Sequence, residues 1–288
     1  MIFPDTTDHV VLLDGGMGST IEDRGIPVRN ALWGSAALLT REGLALNDRI
    51  HRDFRDAGAQ VLTANVHNAS LASCQAYAPD DPGLFERVNA AGVASARRAA
   101  GEKCLVAAGI GSAEGPYAEE STHDIAEIVT MLRPQADLLR RLGVDLTIFE
   151  TLTTGNEIRA VAELAAPPFA AGLTCGADGR TLAGVTIEEA VEILLPVQPE
   201  AIFIQCTKYD YVGAALPALV DRVEGVTAVG VYANDGRVWI DMRWHGDRVT
   251  PADYAAAALG WRKLGARIIG GCCGTGPEHV AALRTALS

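Results

Sequence analysis

Lysine is scarce in this chain: Lys103, Lys208 and Lys263 are the only three among 288 residues. Acidic side chains outnumber basic ones 36 to 24, so the formal charge is −12 and the isoelectric point is near 4.9. Sequence-independent binding of nucleic acid requires clustered Lys and Arg to neutralise phosphates, and this balance excludes it. No apolar run approaches the roughly 18 residues of a membrane span. The first nine residues hold neither a basic stretch nor an apolar signal core. No Gly-x-Gly-x-x-Gly fingerprint follows an apolar run, and no low-complexity tract or linker divides the chain. These absences predict one domain over residues 1–288, cytoplasmic, with neither nucleic acid nor membrane as partner. No heptad or apolar appendage marks an oligomer interface, so the oligomeric state is not read from the sequence.

Eight short apolar runs are present, over 10–14, 60–65, 104–109, 145–150, 169–174, 201–206, 227–232 and 266–271. They are continuous rather than alternating, as parallel strands buried on both faces require. Helix signals lie between them. Thr186 with Glu189 forms a capping box, Thr250-Pro251 places proline at a first helical position, and Thr275-Gly276-Pro277 reads the same way. Gly58, Gly143 and Gly265 suit left-handed helix ends before strands. Eightfold strand–helix alternation predicts an α/β fold, a single (β/α)₈ TIM barrel. Two connections are long: about thirty residues before a helix expected near Asn47, and 233–249, which carries Trp239, Trp244 and His245.

Six cysteines in a chain without a secretion signal are weak evidence for disulfides and leave packing, metal ligation or catalysis. Position separates them. Cys206 ends the sixth expected strand, and Cys272-Cys273 follow the eighth, flanked by Gly270-Gly271 and Gly274. In a closed barrel these strand ends share the catalytic face. Three converging thiolates suit Zn²⁺ and leave its fourth position open, as catalytic sites do. An all-sulfur site is a weak Lewis acid, poor at activating water but well suited to binding a substrate thiol as a nucleophilic thiolate. Alkyl transfer to sulfur is the chemistry implied. Cys74, Cys104 and Cys175 read as structural.

Asp14-Gly-Gly-Met-Gly-Ser19, the segment His51 to Ala59, Glu150-Thr151, Cys206 and Gly270-Gly-Cys-Cys-Gly-Thr275 resemble the homocysteine S-methyltransferases from about residue 10 to the end. The resemblance implies Cys206, Cys272 and Cys273 as zinc ligands, and Asp14, Gly15 and Glu150 as contacts to the amino-acid part of homocysteine. It implies a small-molecule thiol and a methyl donor as partners, with methionine as product. Where the family has Thr-Asn-Thr-Tyr-Gln after strand two, this chain has Ala64-Asn65-Val66-His67-Asn68. The usual Tyr-Pro-Asn becomes Tyr232-Ala233-Asn234, and Gln205 stands where Asn is usual before the first zinc cysteine. Asn65, His67 and Asn234 thus border the expected substrate pocket. His67 could touch substrate, move a proton or hydrogen-bond within the barrel mouth. His51 is expected to be solvated or to pack with its hydrogen bonds satisfied. With only one barrel in the chain, the resemblance favours S-methylmethionine or S-adenosylmethionine as donor, with betaine or another onium compound open. A zinc hydrolase and a binding subunit of a corrinoid system are the competing readings.

Overall fold

A computed structural model describes residues 2–3, 9–223, 225–240 and 243–288. In chain order its first half comprises β1 (Val11–Leu12), α1 (Met17–Asp23), α2 (Arg41–Ala57), β2 (Val61–Ala64), α3 (Leu71–Tyr77), α4 (Leu84–Ala100), β3 (Leu105–Ile110), α5 (Ile125–Arg141) and β4 (Leu146–Leu152). There follow α6 (Gly155–Leu164), β5 (Phe169–Leu173), α7 (Ile187–Leu194), β6 (Ala201–Lys208), α8 (Val212–Val223), β7 (Ala228–Asn234), β8 (Val238–Ile240), β9 (Arg243–His245), α9 (Pro251–Leu264), β10 (Ile268–Gly271) and α10 (Pro277–Leu287). The parallel sheet runs β1-β10-β7-β6-β5-β4-β3-β2, and a parallel bridge from Leu13 to Val61 brings its two edges together. That is the TIM barrel.

Its two hydrophobic layers follow from strand alternation. Val11, Leu13, Ile148, Phe203, Tyr232 and Ile268 fill the barrel interior, while Leu12, Phe149, Ile202 and Ile269 pack outward against the helices. Phe203 and Tyr232 meet edge to face, with ring centroids 5.1 Å apart. The helices begin where polar caps satisfy their orphan N–H groups: complete capping boxes open α5 at Asp124, α6 at Thr154 and α7 at Thr186. Thr250 caps α9 ahead of Pro251.

Four local expectations change. The helix expected near Asn47 starts at Arg41, capped by Thr40, and the stretch before it holds α1 and a 3₁₀ helix over Trp33–Leu39. Glycine-rich sequence hid α1, because Gly18 is there for packing: a Cβ on it would lie 2.1 Å from Trp33 Nε1. Thr275 does not cap α10; its hydroxyl donates to the Cys272 carbonyl at 2.7 Å, and Gly276 occupies the cap position. The segment 233–249 contains the antiparallel β8–β9 hairpin, with Asp241 and Met242 outside the described residues. His51 is fully buried on α2, and neither ring nitrogen meets a hydrogen-bond partner among the described residues.

Candidate metal centre and substrate pocket

Along β6, alternation sends Ala201 and Phe203 inward, and Gln205 with them. A regular strand would turn Cys206 the other way. Its backbone instead adopts φ +47°, a left-handed conformation costing about 1–3 kcal/mol in a non-glycine residue, and the β6–β7 register shifts between Gln205 and Lys208. The Asn234 amide donates to the Cys206 carbonyl at 2.9 Å and holds that turn. The Cys206 sulfur thereby lies 3.7 Å from that of Cys273, and the sulfurs of Cys206, Cys272 and Cys273 all fall within 4.8 Å of one another. Gly274, at φ +80°, lets the chain leave the cysteine pair; a Cβ there would sit 1.8 Å from Asp235 Oδ2. Hydrogen bonds from Cys272 and Cys273 draw the Cys206 thiol well below its ordinary pKa, and the same bonds to Cys206 push both partners up.

Two buried carboxylates stand in the same barrel mouth. Glu150 continues the inward phase of Ile148, and its Oε2 lies 2.6 Å from His67 Nδ1. Its Oε1 accepts from the Tyr232 hydroxyl at 2.9 Å. Gly109 on β3 makes the room, since a Cβ there would lie 2.2 Å from Glu150 Oε2. Burial works against a charged His67 ring, but the hydrogen bond and charge of Glu150 outweigh it and raise its pKa. Asp14 accepts from the Thr63 N–H at 2.7 Å and the Thr63 hydroxyl at 2.9 Å. Burial, helped by the Glu150 charge and opposed by Thr63, pushes Asp14 up to about 7.

A family model described as "Homocysteine S-methyltransferase" matches residues 11–287. The chain belongs to that family. Homocysteine S-methyltransferase of Escherichia coli (strain K12) is 30% identical over 300 residues, spanning 96% of this chain and 94% of its own. Homocysteine S-methyltransferase 1 of Saccharomyces cerevisiae is 25% identical over 306 residues, with 96% and 94% covered. The metallated form of the homocysteine methyltransferase MmuM from Escherichia coli superposes with a TM-score of 0.80 at 26% identity, covering 97% of this chain and 96% of its own. The protein is therefore an S-methyltransferase enzyme.

The structure distributes the expected site residues of this S-methyltransferase unevenly. The three cysteines converge, and Asp14, His67 and Glu150 stand in the mouth. Gly15 is packed against the last strand's loop, where a Cβ would lie 2.6 Å from the Thr275 carbonyl. Asn65 spends its amide inside the fold, donating to the Gly34 carbonyl at 3.0 Å and Asn47 Oδ1 at 2.9 Å. Asn234 supports the turn at Cys206. Two residues that the sequence did not assign to the site belong with them. The Tyr117 hydroxyl lies within hydrogen-bonding distance of Cys206 Sγ, at 3.2 Å, and burial chiefly raises its pKa well above the ordinary value. Gln205 accepts from the Thr151 N–H at 2.7 Å, and its Nε2 lies 3.5 Å from Cys272 Sγ. For Gln205 the departure from the family pattern was the available signal. Cys74 and Cys175 are buried, and desolvation pushes them up to about 11 and about 12, which suits structural thiols.

Proposed function

We propose that this enzyme transfers a methyl group to the sulfur of homocysteine, giving methionine, at a zinc ion held by Cys206, Cys272 and Cys273. The observation that carries the reading is the sulfur cluster. Zn–S bonds of about 2.3 Å in a tetrahedron require S···S edges of about 3.8 Å, and Cys206 and Cys273 stand 3.7 Å apart. The donor set fits the metal in softness as well as in size. Zinc, when bound there, would deprotonate the acceptor thiol and keep the thiolate nucleophilic.

The chain's own residues then orient the reaction. Asp14 and Glu150 offer carboxylate oxygens to the acceptor's ammonium, each with lone pairs beyond those already used. Gly15 brings backbone close to the acceptor's carboxylate end, and His67 holds Glu150 in place. The Tyr117 hydroxyl and the Gln205 amide supply hydrogen bonds to the ligating sulfurs, restraining their direction. In the transfer the acceptor sulfur forms a bond to the methyl carbon. The carbon–onium bond breaks, its electron pair stays on the donor heteroatom, and the thiol proton passes to solvent. Positioning and charge do the catalytic work; no covalent enzyme intermediate is required. We favour S-methylmethionine or S-adenosylmethionine as donor, within a single barrel domain. Six free thiols fit a cytoplasmic location.

The test is one preparation assayed two ways. Wild-type protein purified without chelator is expected to hold one zinc per chain and to make methionine from homocysteine with one of a panel of donors. Cys206→Ser is expected to lose most of the zinc and the activity while remaining folded. Full activity in Cys206→Ser overturns the reading.

A further inference from the structure

A cleft of about 210 Å³ opens beside the sulfur cluster over the ends of β5, β6 and β7. Neither Asp14 nor His67 nor Glu150 lines it, so it approaches Cys206 from a different side than the acceptor's carboxylates do. Cys206 and Tyr117 form one part of its wall, and Lys208 and Arg237 another. Among the described residues its charged lining is therefore two cations and no carboxylate, in a chain whose net charge is −12 and which has only three lysines.

Both cations are placed to meet an anion. The Lys208 side chain is 25% exposed, yet its nearest carboxylate, Asp210, is 3.7 Å away, and its hydrogen-bond contact to Tyr211 is long at 3.5 Å. The ammonium also lies 4.5 Å from the Tyr211 ring centroid, and these long contacts leave its three donors able to turn to a closer anion. Arg237 is anchored through Nε to the buried Asp235 at 2.7 Å and lies over the Trp244 ring at 5.4 Å. That anchoring leaves the terminal nitrogens of a rigid guanidinium for a planar acceptor such as a carboxylate. The Lys208 backbone pairs in register with Asn234, and Arg237 follows three residues later, so both strand ends deliver cations to one cleft. Lys208 follows Cys206 by two residues on β6, and both line the cleft. The Tyr117 ring, whose hydroxyl is 3.2 Å from Cys206 Sγ, supplies an aromatic surface for an onium centre at the sulfur end.

Resting on the methyl-transfer reading above, we infer that this cleft is the methyl-donor subsite and that Lys208 and Arg237 hold the carboxylate of the donor's leaving fragment. The ligand class is an onium compound whose charged heteroatom and carboxylate are separated by a short carbon chain. The onium lies at Cys206 and Tyr117, and the carboxylate lies at the basic end. Methyl transfer removes the onium charge, and the neutral thioether or amine that results keeps its carboxylate on Lys208 and Arg237 until it leaves.

The experiment compares S-methylmethionine with its decarboxylated analogue, (3-aminopropyl)dimethylsulfonium, on the zinc-loaded protein. Each is measured in turnover with homocysteine and by calorimetric binding without acceptor. Wild type is expected to prefer the carboxylated donor in kcat/KM by about 10- to 100-fold, the range of a charge-assisted pair. Lys208→Met is expected to remove most of that ratio and weaken S-methylmethionine binding by a similar factor, while Lys208→Arg retains both. Because the readout is a ratio between donors, a general loss of activity does not imitate it. An unchanged ratio and unchanged affinity in Lys208→Met overturn the subsite, as does failure of wild type to bind either sulfonium. If wild type methylates homocysteine from no donor, the proposed function fails, and the binding comparison still decides the role of Lys208.

Discussion

Nδ1 of His67 and Oε2 of Glu150 lie 2.6 Å apart, although 83 residues separate them in sequence and β2, which His67 follows, is not a neighbour of β4 in the barrel. With Tyr232 on the other oxygen, Glu150 is held in one orientation from two sides. Glu150→Gln keeps size and one acceptor oxygen but removes the charge. Homocysteine affinity is expected to fall by one to two orders of magnitude, equivalent to about 1.5–3 kcal/mol, with zinc content retained. Unchanged affinity in the folded, zinc-loaded variant would remove Glu150 from the site. The pair also predicts a pH dependence of stability. His67 has a raised folded-state pKa, so its contribution is full below its unfolded value of about 6.5 and is lost as pH rises through the folded value. The stability difference between wild type and His67→Asn, followed by denaturant titration, is expected to shrink from acid toward alkaline pH.

Asp14 serves binding at a cost in stability. Its pKa of about 7, against 3.8 unperturbed, means the folded protein binds more protons than the unfolded chain between those values. Stability therefore declines as pH rises from about 4 to 7, by at most about 4 kcal/mol. Asp14→Asn keeps a hydrogen-bond partner for Thr63 and removes this cost. A higher melting temperature at pH 7, little change at pH 4 and a weakened homocysteine affinity are expected together. A melting temperature that falls equally at both pH values would contradict the argument.

Gln205 couples two left-handed backbone positions, since it accepts from the N–H of Thr151 (φ +58°) and precedes Cys206 (φ +47°). Gln205→Leu leaves the buried Thr151 N–H without its acceptor and Cys272 without a donor. Zinc affinity is expected to drop about 10- to 100-fold, as with other groups that orient metal ligands, and stability by about 1–3 kcal/mol. Gln205→Glu retains an acceptor for Thr151 but loses the donor to sulfur. Competition with a chelator should show its zinc affinity reduced while its melting temperature stays closer to wild type.

His51 is neutral at any physiological pH, because burial lowers its pKa to about 3. Its two nitrogens, without a hydrogen-bond partner among the described residues, make the ring a poorer core residue than a hydrocarbon of similar size. His51→Leu is expected to leave stability unchanged or raise it by up to about 3 kcal/mol, whereas His51→Ala opens a cavity and destabilises. A loss above about 1 kcal/mol in the Leu variant would show that the ring makes a hydrogen bond in solution.

Much of this architecture was readable before any coordinates. Continuous apolar runs specify doubly buried strands, and all eight fall on the barrel strands with ends shifted by a few residues. The capping box at Thr186 and the proline at 251 are local chemistry, so they appear in the structure as read. Cys206, Cys272 and Cys273 could be singled out because glycines and strand ends mark where a chain can turn its side chains together. What sequence alone did not decide is what each group meets. The left-handed turn at Cys206 depends on an amide from Asn234, 28 residues away, and the Tyr117 and Gln205 contacts to sulfur span 89 and 67 residues. Glu150 could be assigned to the mouth from strand phase, but its pairing with His67 and the space left by Gly109 arise only when β2, β3 and β4 close side by side. Local periodicity and capping determine which elements form, because their energetics lie within a few residues. Burial, proton affinity and the direction of each functional side chain depend on distant groups, and only tertiary structure brings those groups within hydrogen-bonding range.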